Sequence, residues 1–276
     1  MEWDVIIVGG GPAGLSAARF SSELGLKTLL FEAYSDIKAW KPCGEGVSKE
    51  TFETAGIEPK PGIVANELSM RVYAPSGKYV EIPLHGFAIN KDLFLQEMGK
   101  EALKAGAEFR IGERVEGVVK EGGKIIGVKT SKGEVVKGKV VIGADGYNSV
   151  VAKTAGLDNT TELIPVYQYK MVGVELDSHT TGHIYVGSMA PGGYAWIFPK
   201  DEDIANVGIG VRPGAPKPYL DKFIKDRPEL FRKAKIMGVG GAAVPIGGIA
   251  KEYIADNLIL LGDAAGMVIP FTGAGI

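Results

Sequence analysis

The fold follows from residues 4–14, which are Asp-Val-Ile-Ile-Val-Gly-Gly-Gly-Pro-Ala-Gly. The apolar run 4–8 predicts a buried parallel strand. A helix is predicted from about Pro12 to Gly25 and a second strand at 27–31, so the three elements form a βαβ unit. The glycines match the pattern G-x-G-x-x-G, in which backbone amides approach a pyrophosphate at a helix N-terminus. The stretch therefore predicts a dinucleotide-binding fold.

An acidic residue stands where that fold needs one. Glu32 ends the second predicted strand, about twenty residues after the glycine turn. Its carboxylate can accept hydrogen bonds from both hydroxyls of an adenosine ribose, and its charge would repel a 2′-phosphate. The alternative interpretation is a structural tight turn followed by a surface glutamate.

Two further strand–turn junctions carry a glycine and an aspartate. Gly143-Ala144-Asp145-Gly146 follows one predicted strand and precedes a short helix, and Gly262-Asp263-Ala264-Ala265-Gly266 follows the strand 258–261. A carboxylate at the end of a strand can accept hydrogen bonds from sugar-like hydroxyls. Taken singly, each junction is also explained by an ordinary Asx-type turn before a helix.

The three motifs in this order resemble a large flavoprotein family that contains aromatic hydroxylases and geranylgeranyl reductases. The resemblance covers essentially the whole chain and implies bound FAD. It also implies that the helix start at 273–276 directs its amides at the flavin. The implied cofactor-binding residues are Gly9, Gly11, Pro12, Ala13, Gly14, Glu32, Ala33, Cys43, Gly44, Gly46, Val115, Asp145, Asp263, Gly275 and Ile276.

Two more motifs resemble archaeal geranylgeranyl reductases in particular. Residues 41–46, Lys-Pro-Cys-Gly-Glu-Gly, resemble their P-C-G-x-G loop, and residues 194–199, Tyr-Ala-Trp-Ile-Phe-Pro, resemble their Y-x-W-x-F-P motif. The resemblance implies catalytic roles for Cys43, Tyr194 and Trp196, and a substrate-binding surface formed by Tyr194, Trp196 and Phe198. Without it, the cysteine is a packed small hydrophobe and the aromatic residues, which alternate along one strand face, are sheet core.

The resemblance implies reduction of isolated double bonds in the geranylgeranyl chains of archaeal ether lipids, on a digeranylgeranylglycerophospholipid or a related prenyl compound. An isolated alkene cannot stabilise a carbanion, so a proton must accompany or precede the hydride. Protonation of the less substituted carbon would place positive charge on the tertiary carbon. The alternatives are an FAD-dependent hydroxylase, a halogenase of the same scaffold, and a flavin electron carrier to a membrane quinone.

Composition limits the partners. The net charge of −2 gives no general attraction to nucleic acid, and three histidines and one cysteine lack zinc-type spacing. A single cysteine excludes an internal disulfide and favours a reducing, cytoplasmic setting. A lipid substrate adds the expectation of peripheral contact with the cytoplasmic membrane face. The external electron donor, a nicotinamide or a protein carrier, stays open.

The predicted fold class is α/β, with a Rossmann-like FAD-binding domain of the glutathione-reductase and hydroxylase type and an inserted β-rich substrate domain. Relatives continue beyond residue 276 with a long helix, which implies a chain shortened at its C-terminus. The FAD-binding domain is predicted at 1–62, 85–160 and 252–276. The substrate domain is predicted at 63–84, as a hairpin, and at 161–251.

Overall fold

A computed structural model describes residues 2–38 and 41–276 of the chain. It divides into two compact units, each assembled from separated segments. The first unit consists of Met1–Lys38, Leu95–Leu163 and Val244–Ile276, and the second of Ala39–Phe94 and Ile164–Ala243. The α/β class predicted from the sequence is confirmed.

The segments alternate in the predicted order, but their boundaries differ from the predicted ones. The chain passes between units after residues 38, 94, 163 and 243, where the sequence predicted 62, 84, 160 and 251. The largest difference concerns the segment 39–62, in which a short strand at 46–48 pairs with a strand of the second unit. The assignment of FAD to one unit and substrate to the other stays a prediction.

The strands are numbered in chain order. They are β1 (Trp3–Val8), β2 (Thr28–Glu32), β3 (Gly46–Ser48), β4 (Val64–Tyr73), β5 (Tyr79–Ile89), β6 (Glu108–Ile111), β7 (Val115–Glu121), β8 (Lys124–Thr130), β9 (Val135–Gly143), β10 (Leu163–Val172), β11 (Thr181–Val186), β12 (Tyr194–Pro199), β13 (Ile204–Gly210), β14 (Lys235–Pro245), β15 (Ile254–Ala255) and β16 (Leu258–Leu260). The helices are α1 (Pro12–Glu23), α2 (Lys49–Ala55), α3 (Lys91–Lys104), α4 (Val150–Ala155), α5 (Pro216–Lys225) and α6 (Pro228–Phe231), and a short 3₁₀ helix spans Gly262–Ala265.

The first unit is built on a sheet with the strand order β15-β16-β9-β1-β2-β6. Neighbours from β16 to β6 run parallel, and β7, β8 and β9 form an antiparallel meander. Strand β1 is nearly continuously apolar and buried, as expected for a parallel strand covered on both faces. Its side chains pack with those of β2, β9 and α4 in one hydrophobic core.

The second unit has the strand order β14-β10-β13-β12-β11-β4-β5-β3. Its pairs are antiparallel from β10 to β11 and from β4 to β3, whereas β11 and β4 run parallel. One face carries the hydrophobic core, where Ala195, Ile197 and Val207 contact side chains of α5 and α6 such as Leu220 and Phe231. The other face carries the aromatic motif.

Three sequence predictions of local structure differ from the observed fold. The breakers Pro42, Gly44 and Gly46 predict a loop at 36–50, but residues 46–48 form β3 because they pair with β5. Strand β14 was not predicted, because its three glycines at 238, 240 and 241 interrupt any alternation of apolar residues. Residues 273–276, predicted as a helix start, form no helix within the described chain. Gly273 has a left-handed φ of +70° and its N–H donates to the carbonyl of Ile269, so the chain turns there.

Across the described residues, the structure contains no helix that combines the length and apolar character needed to cross a membrane.

Candidate active site

The three glycine-and-acid motifs follow the ends of neighbouring parallel strands. Val8, the last residue of β1, lies opposite Gly143 at the end of β9, and Gly143 lies opposite Leu260 at the end of β16. All three turns therefore leave the sheet at the same edge. Ligands of open parallel sheets bind at this carboxyl edge, where the strand order reverses.

Close contacts hold the three turns together. A Cβ on Gly9 would lie 2.3 Å from the carbonyl oxygen of Ala144, and one on Gly14 would lie 1.9 Å from the carbonyl oxygen of Gly9. A Cβ on Gly262 would lie 2.9 Å from the Cβ of Ala13. The φ of Gly9, +108°, is also one that L residues rarely adopt. The structure thus requires glycine at Gly9 and Gly14 for backbone contact.

The N-terminus of α1 fits an anionic group. A Cβ on Gly11 would meet no atom within 4 Å, so its backbone faces open space. Pro12 stands in the first turn, which contains no acidic residue, and within the described chain no side chain caps the helix. Unpaired N–H groups at the positive end of a twelve-residue helix suit a phosphate.

Backbone hydrogen bonds fix the position of the Glu32 carboxylate. The side chain is buried, and its two oxygens accept hydrogen bonds from the backbone N–H groups of Gly10, at 2.7 Å, and Tyr34, at 2.8 Å. Each oxygen of a carboxylate can accept a further hydrogen bond. The residue fits the ribose-binding role that its sequence position predicts, and Ala33 lies half-buried beside it.

Asp145 has a local structural role. One carboxylate oxygen accepts hydrogen bonds from the N–H groups of Val150, at 2.8 Å, and Val151, at 3.1 Å, while the other accepts the hydroxyl of Ser149 at 2.6 Å. Burial raises the pKa of Asp145, although these hydrogen bonds act in the opposite direction. The carboxylate stabilises the start of α4, and its contact with FAD stays a prediction.

The remaining predicted residues of the first unit lie around the third turn or in the core. Asp263 is half-buried in the 3₁₀ helix, and a Cβ on Gly275 would lie 3.5 Å from its Oδ1 atom. Ile276 is half-buried. Val115 is buried at the start of β7, opposite Thr130. The structure brings Asp263 and Gly275 together.

In the second unit, the predicted aromatic residues share one face of β12. Tyr194 and Trp196 contact edge to face, with ring centroids 5.9 Å apart, and Trp196 and Phe198 are both buried. The intervening Ala195 and Ile197 point into the core on the other face. Burial, with a smaller contribution from Cys43, raises the pKa of Tyr194 to about 12, so its hydroxyl keeps its proton at neutral pH.

Glycines beneath these rings give them their positions. A Cβ on Gly208 would lie 2.1 Å from the Cζ2 atom of Trp196, and one on Gly44 would lie 2.9 Å from the ring of Phe198. A Cβ on Gly182 would lie 3.1 Å from the same phenyl ring. Trp196 therefore packs directly on the backbone of Gly208, and Phe198 packs on the backbone of Gly44.

The turn around Cys43 lies across this face of the sheet. A Cβ on Gly240 of β14 would meet the ring of Pro42 at 2.8 Å, and Gly44 packs on Phe198. Cys43 is half-buried, and its Sγ atom accepts the N–H of Glu45 at 3.4 Å. The structure brings Cys43, Gly44 and Gly46 together with the aromatic face, and their catalytic and cofactor-binding roles stay predictions.

Buried polar side chains fix the turn and the aromatic face. The Nζ atom of Lys200 lies 2.6 Å from a carboxylate oxygen of Glu45, and Asn206 donates to the same carboxylate oxygen at 3.1 Å. The indole N–H of Trp196 donates to Gln168 at 3.2 Å. Burial lowers the pKa of Lys200, which the neighbouring carboxylate opposes.

Two family models match successive parts of the chain. Residues 162–244 match the family model described as geranylgeranyl reductase catalytic domain, and residues 4–161 match the model described as glucose inhibited division protein A. The chain is 37% identical to a digeranylgeranylglycerophospholipid reductase of Thermoplasma volcanium, over 99% of this chain and 74% of that protein. It is 37% identical to one of Methanopyrus kandleri, over 100% and 74%. The chain belongs to the geranylgeranyl reductase family.

A solved structure of the same family has the same fold. The crystal structure of a geranylgeranyl bacteriochlorophyll reductase-like protein from Thermoplasma acidophilum superposes with a TM-score of 0.93 and 36% identity, over 99% of this chain and 74% of that one. A flavin-dependent brominase superposes with a TM-score of 0.83 at 19% identity, over 99% and 76%, which shows a shared fold alone. The prediction of FAD as the cofactor is confirmed for this chain.

Several residues that hold the aromatic face and the Cys43 turn were not predicted from the sequence. Asn206 lies inside an otherwise apolar strand, which was an available signal, because an amide in such a strand needs a buried partner. Lys200 directly follows the aromatic motif, and Gln168 stands between two tyrosines. Their partners lie far away in the sequence, so no spacing rule links them.

Proposed function

We propose that this protein is an FAD-dependent reductase that hydrogenates isolated double bonds in the geranylgeranyl chains of archaeal ether-lipid precursors. The observation that carries the proposal is 37% identity over almost the whole chain to digeranylgeranylglycerophospholipid reductases. An apolar aromatic face beside a cysteine turn, both seated on glycines, supports an isoprenoid substrate. Bound FAD, once reduced, supplies a hydride to the alkene.

The residues of the second unit suit the polarity of that reaction. Addition of a proton to the less substituted carbon places positive charge on the tertiary carbon, which the ring faces of Trp196 and Tyr194 stabilise. Such a cation–π interaction contributes about 0.5–2 kcal/mol. This is a small part of a chemical barrier, so fixed placement of the alkene by Trp196 and Phe198 contributes more.

Cys43 is the proposed proton donor or a wall of the alkene pocket. Its Sγ atom is half-buried in the turn that packs on the aromatic face. A Cys43→Ala variant separates the two roles. Loss of lipid reduction with FAD still bound supports the proton donor, whereas full turnover assigns Cys43 to the pocket wall.

The electrons come from outside the chain, from a nicotinamide that binds transiently or from a protein carrier. In the described residues, the dinucleotide pattern G-x-G-x-x-G is complete only at Gly9, Gly11 and Gly14. Gly210 ends β13 in an antiparallel pair, and α5 starts only at Pro216. We infer a cytoplasmic protein that reaches its lipid by peripheral contact with the membrane face.

The proposal is tested with purified protein, reduced anaerobically by dithionite and incubated with digeranylgeranylglycerophospholipid. Mass spectrometry should show lipid that gains two hydrogens for each reduced double bond. In heavy water, deuterium should enter from solvent at the less substituted carbon. Protein that binds FAD yet leaves the lipid unchanged would disprove the reductase, and deuterium at the tertiary carbon would disprove the proposed polarity.

A further inference from the structure

We infer that Glu45, Lys200 and Asn206 are positioning residues that hold the thiol of Cys43 in place, an inference that rests on the proposed function. These three side chains are called the turn clamp below. Lys200 and Asn206 contact the two residues that follow Cys43, and the backbone N–H of Glu45 donates to the Sγ atom of Cys43. The inference concerns the second unit alone, where all of these residues lie.

The turn clamp begins with a buried ion pair. The Nζ atom of Lys200 lies 2.6 Å from Oε2 of Glu45, with side-chain exposures of 4% and 19%. The ammonium also donates to the backbone carbonyl of Ile89, which ends β5. Lys200 stands just after the aromatic motif, so the clamp ties the turn to the strand that carries Trp196 and Phe198.

Asn206 supplies the second contact. Its Nδ2 atom donates to the backbone carbonyl of Gly44 at 3.1 Å and to the carboxylate of Glu45 at 3.1 Å. The residue is 2% exposed and lies on β13, opposite Phe198 of β12. One amide group therefore fixes both residues that follow Cys43, from the strand beside the aromatic face.

The backbone of the turn shows why a clamp is needed. Glu45 has a φ of +65°, in the left-handed region that non-glycine residues rarely adopt. Such a conformation persists only where the surrounding contacts determine it. The carbonyl of Glu45 also accepts the N–H of Ile89 at 2.9 Å. Side chain, backbone and strained φ together define one position of the turn.

Stability alone does not account for this arrangement. A buried ion pair usually contributes little net stability, because removal of both charges from water offsets their attraction. Apolar side chains of similar volume would fill the same space. The ion pair and the amide instead fix an orientation. Each donor favours one orientation of the Gly44–Glu45 backbone, and this backbone orients the Cys43 side chain.

The chain contains a single cysteine, which makes the position of the thiol measurable. The FAD-loaded protein is treated with iodoacetamide, and the alkylation rate of Cys43 is followed by mass spectrometry. Lys200→Met and Asn206→Ala should each accelerate alkylation roughly tenfold, because loss of one hydrogen bond to a charged or buried group frees the turn. Lys200→Arg, which keeps the charge and the donors, should stay nearer to the wild type.

The matched control is Lys217→Met. Lys217 forms an ion pair with Asp221 at the same distance of 2.6 Å, but on the exposed surface of α5. Its removal should leave the alkylation rate unchanged. Should Lys200→Met fail to fold, Asn206→Ala decides the question, since it leaves the ion pair in place. Rates within twofold of the wild type for folded Asn206→Ala would overturn the inference.

Lipid reduction gives an independent measurement. Removal of the clamp should lower kcat with KM and FAD affinity near the wild-type values, because the thiol moves while both binding surfaces persist. If the clamp variants are alkylated faster but even the wild type does not reduce lipid, the proposed function is refuted and the clamp is supported. Lipid reduction by the wild type, with alkylation and kcat unchanged in the Asn206→Ala variant, would refute the clamp.

Discussion

The two units satisfy their buried polar groups in different ways. In the first unit, the acids at the FAD-binding edge are held mainly by backbone N–H groups, from Gly10 and Tyr34 to Glu32 and from Val150 and Val151 to Asp145. These donors lie within a few residues of a turn or a helix start. The geometry of the local backbone thus builds this part of the site.

In the second unit, side chains from distant strands satisfy one another. Lys200 pairs with Glu45, 155 residues away, and Trp196 donates to Gln168 across the sheet. His183 shares a hydrogen bond with Tyr73, 110 residues away. The difference teaches that a site built by backbone can be recognised from spacing, whereas one built by side chains depends on the finished fold.

The largest effect is expected from a substitution that breaks the backbone contact between Gly14 and Gly9 in the first unit. Gly14→Ala would place a Cβ 1.9 Å from the carbonyl oxygen of Gly9, where no flexible side chain can move away. We expect a loss of about 3 kcal/mol or more of unfolding free energy, together with loss of FAD binding. Thermal unfolding and the flavin absorbance of the purified protein measure both.

The matched variant for this prediction is Gly11→Ala, whose Cβ would meet nothing within 4 Å. It should lower the unfolding free energy by about 1 kcal/mol or less, since alanine is a poorer N-cap than glycine. It should still weaken FAD binding, because the methyl group would occupy the space that faces the phosphates. Wild-type FAD affinity in Gly11→Ala would contradict phosphate binding at the N-terminus of α1.

A smaller effect breaks the ring contact of the second unit. Gly208→Ala would place a Cβ 2.1 Å from Trp196, whose ring can shift at a cost of about 1–3 kcal/mol. FAD should still bind, while lipid reduction should fall roughly 10–100-fold because the alkene is misplaced. Gly238→Ala on β14 is the control, with its nearest atom 3.8 Å away on Lys170. Equal activity of the two variants would argue against a positioning role for Trp196.

The smallest effect is expected at His183, a buried polar side chain of the second unit. His183 is buried, its Nδ1 atom lies 2.9 Å from the hydroxyl of Tyr73, and within the described residues its Nε2 atom has no hydrogen-bond partner. Burial lowers the pKa of His183 below 6.5; the nearby carboxylate of Asp177 opposes this and Arg71 reinforces it. The unfolded chain therefore binds a proton more readily than the folded one.

It follows that His183 destabilises the fold as pH falls below about 6.5, and has no such effect above that value. Relative to the wild type, His183→Gln should lose less melting temperature on acidification, by a difference on the order of a few degrees. His179→Gln, at an exposed position, is the control and should follow the wild type. Parallel curves for the wild type and His183→Gln would contradict the expectation.

The sequence predicts most of the first unit, because its signals lie close together. The glycine turn, α1 and Glu32 fall within about thirty residues, and their spacing alone defines a βαβ unit. The aromatic alternation of β12 likewise identified one shared face. The left-handed Glu45, the glycine beneath Trp196 and the buried Lys200 had no such local signature, because each is defined by a contact with a remote strand.

The parallel pairing of β11 with β4 sets Thr181 opposite Ser69, two residues that lie 112 positions apart in the chain. The second unit therefore cannot complete its sheet until the chain between β4 and β11 has been synthesised and these two strands have paired. Expression of residues 162–244 alone would leave the edge of β11 with unpaired amides and carbonyls, an invitation to intermolecular strand addition. An expressed fragment that folds must therefore contain both β4 and β11.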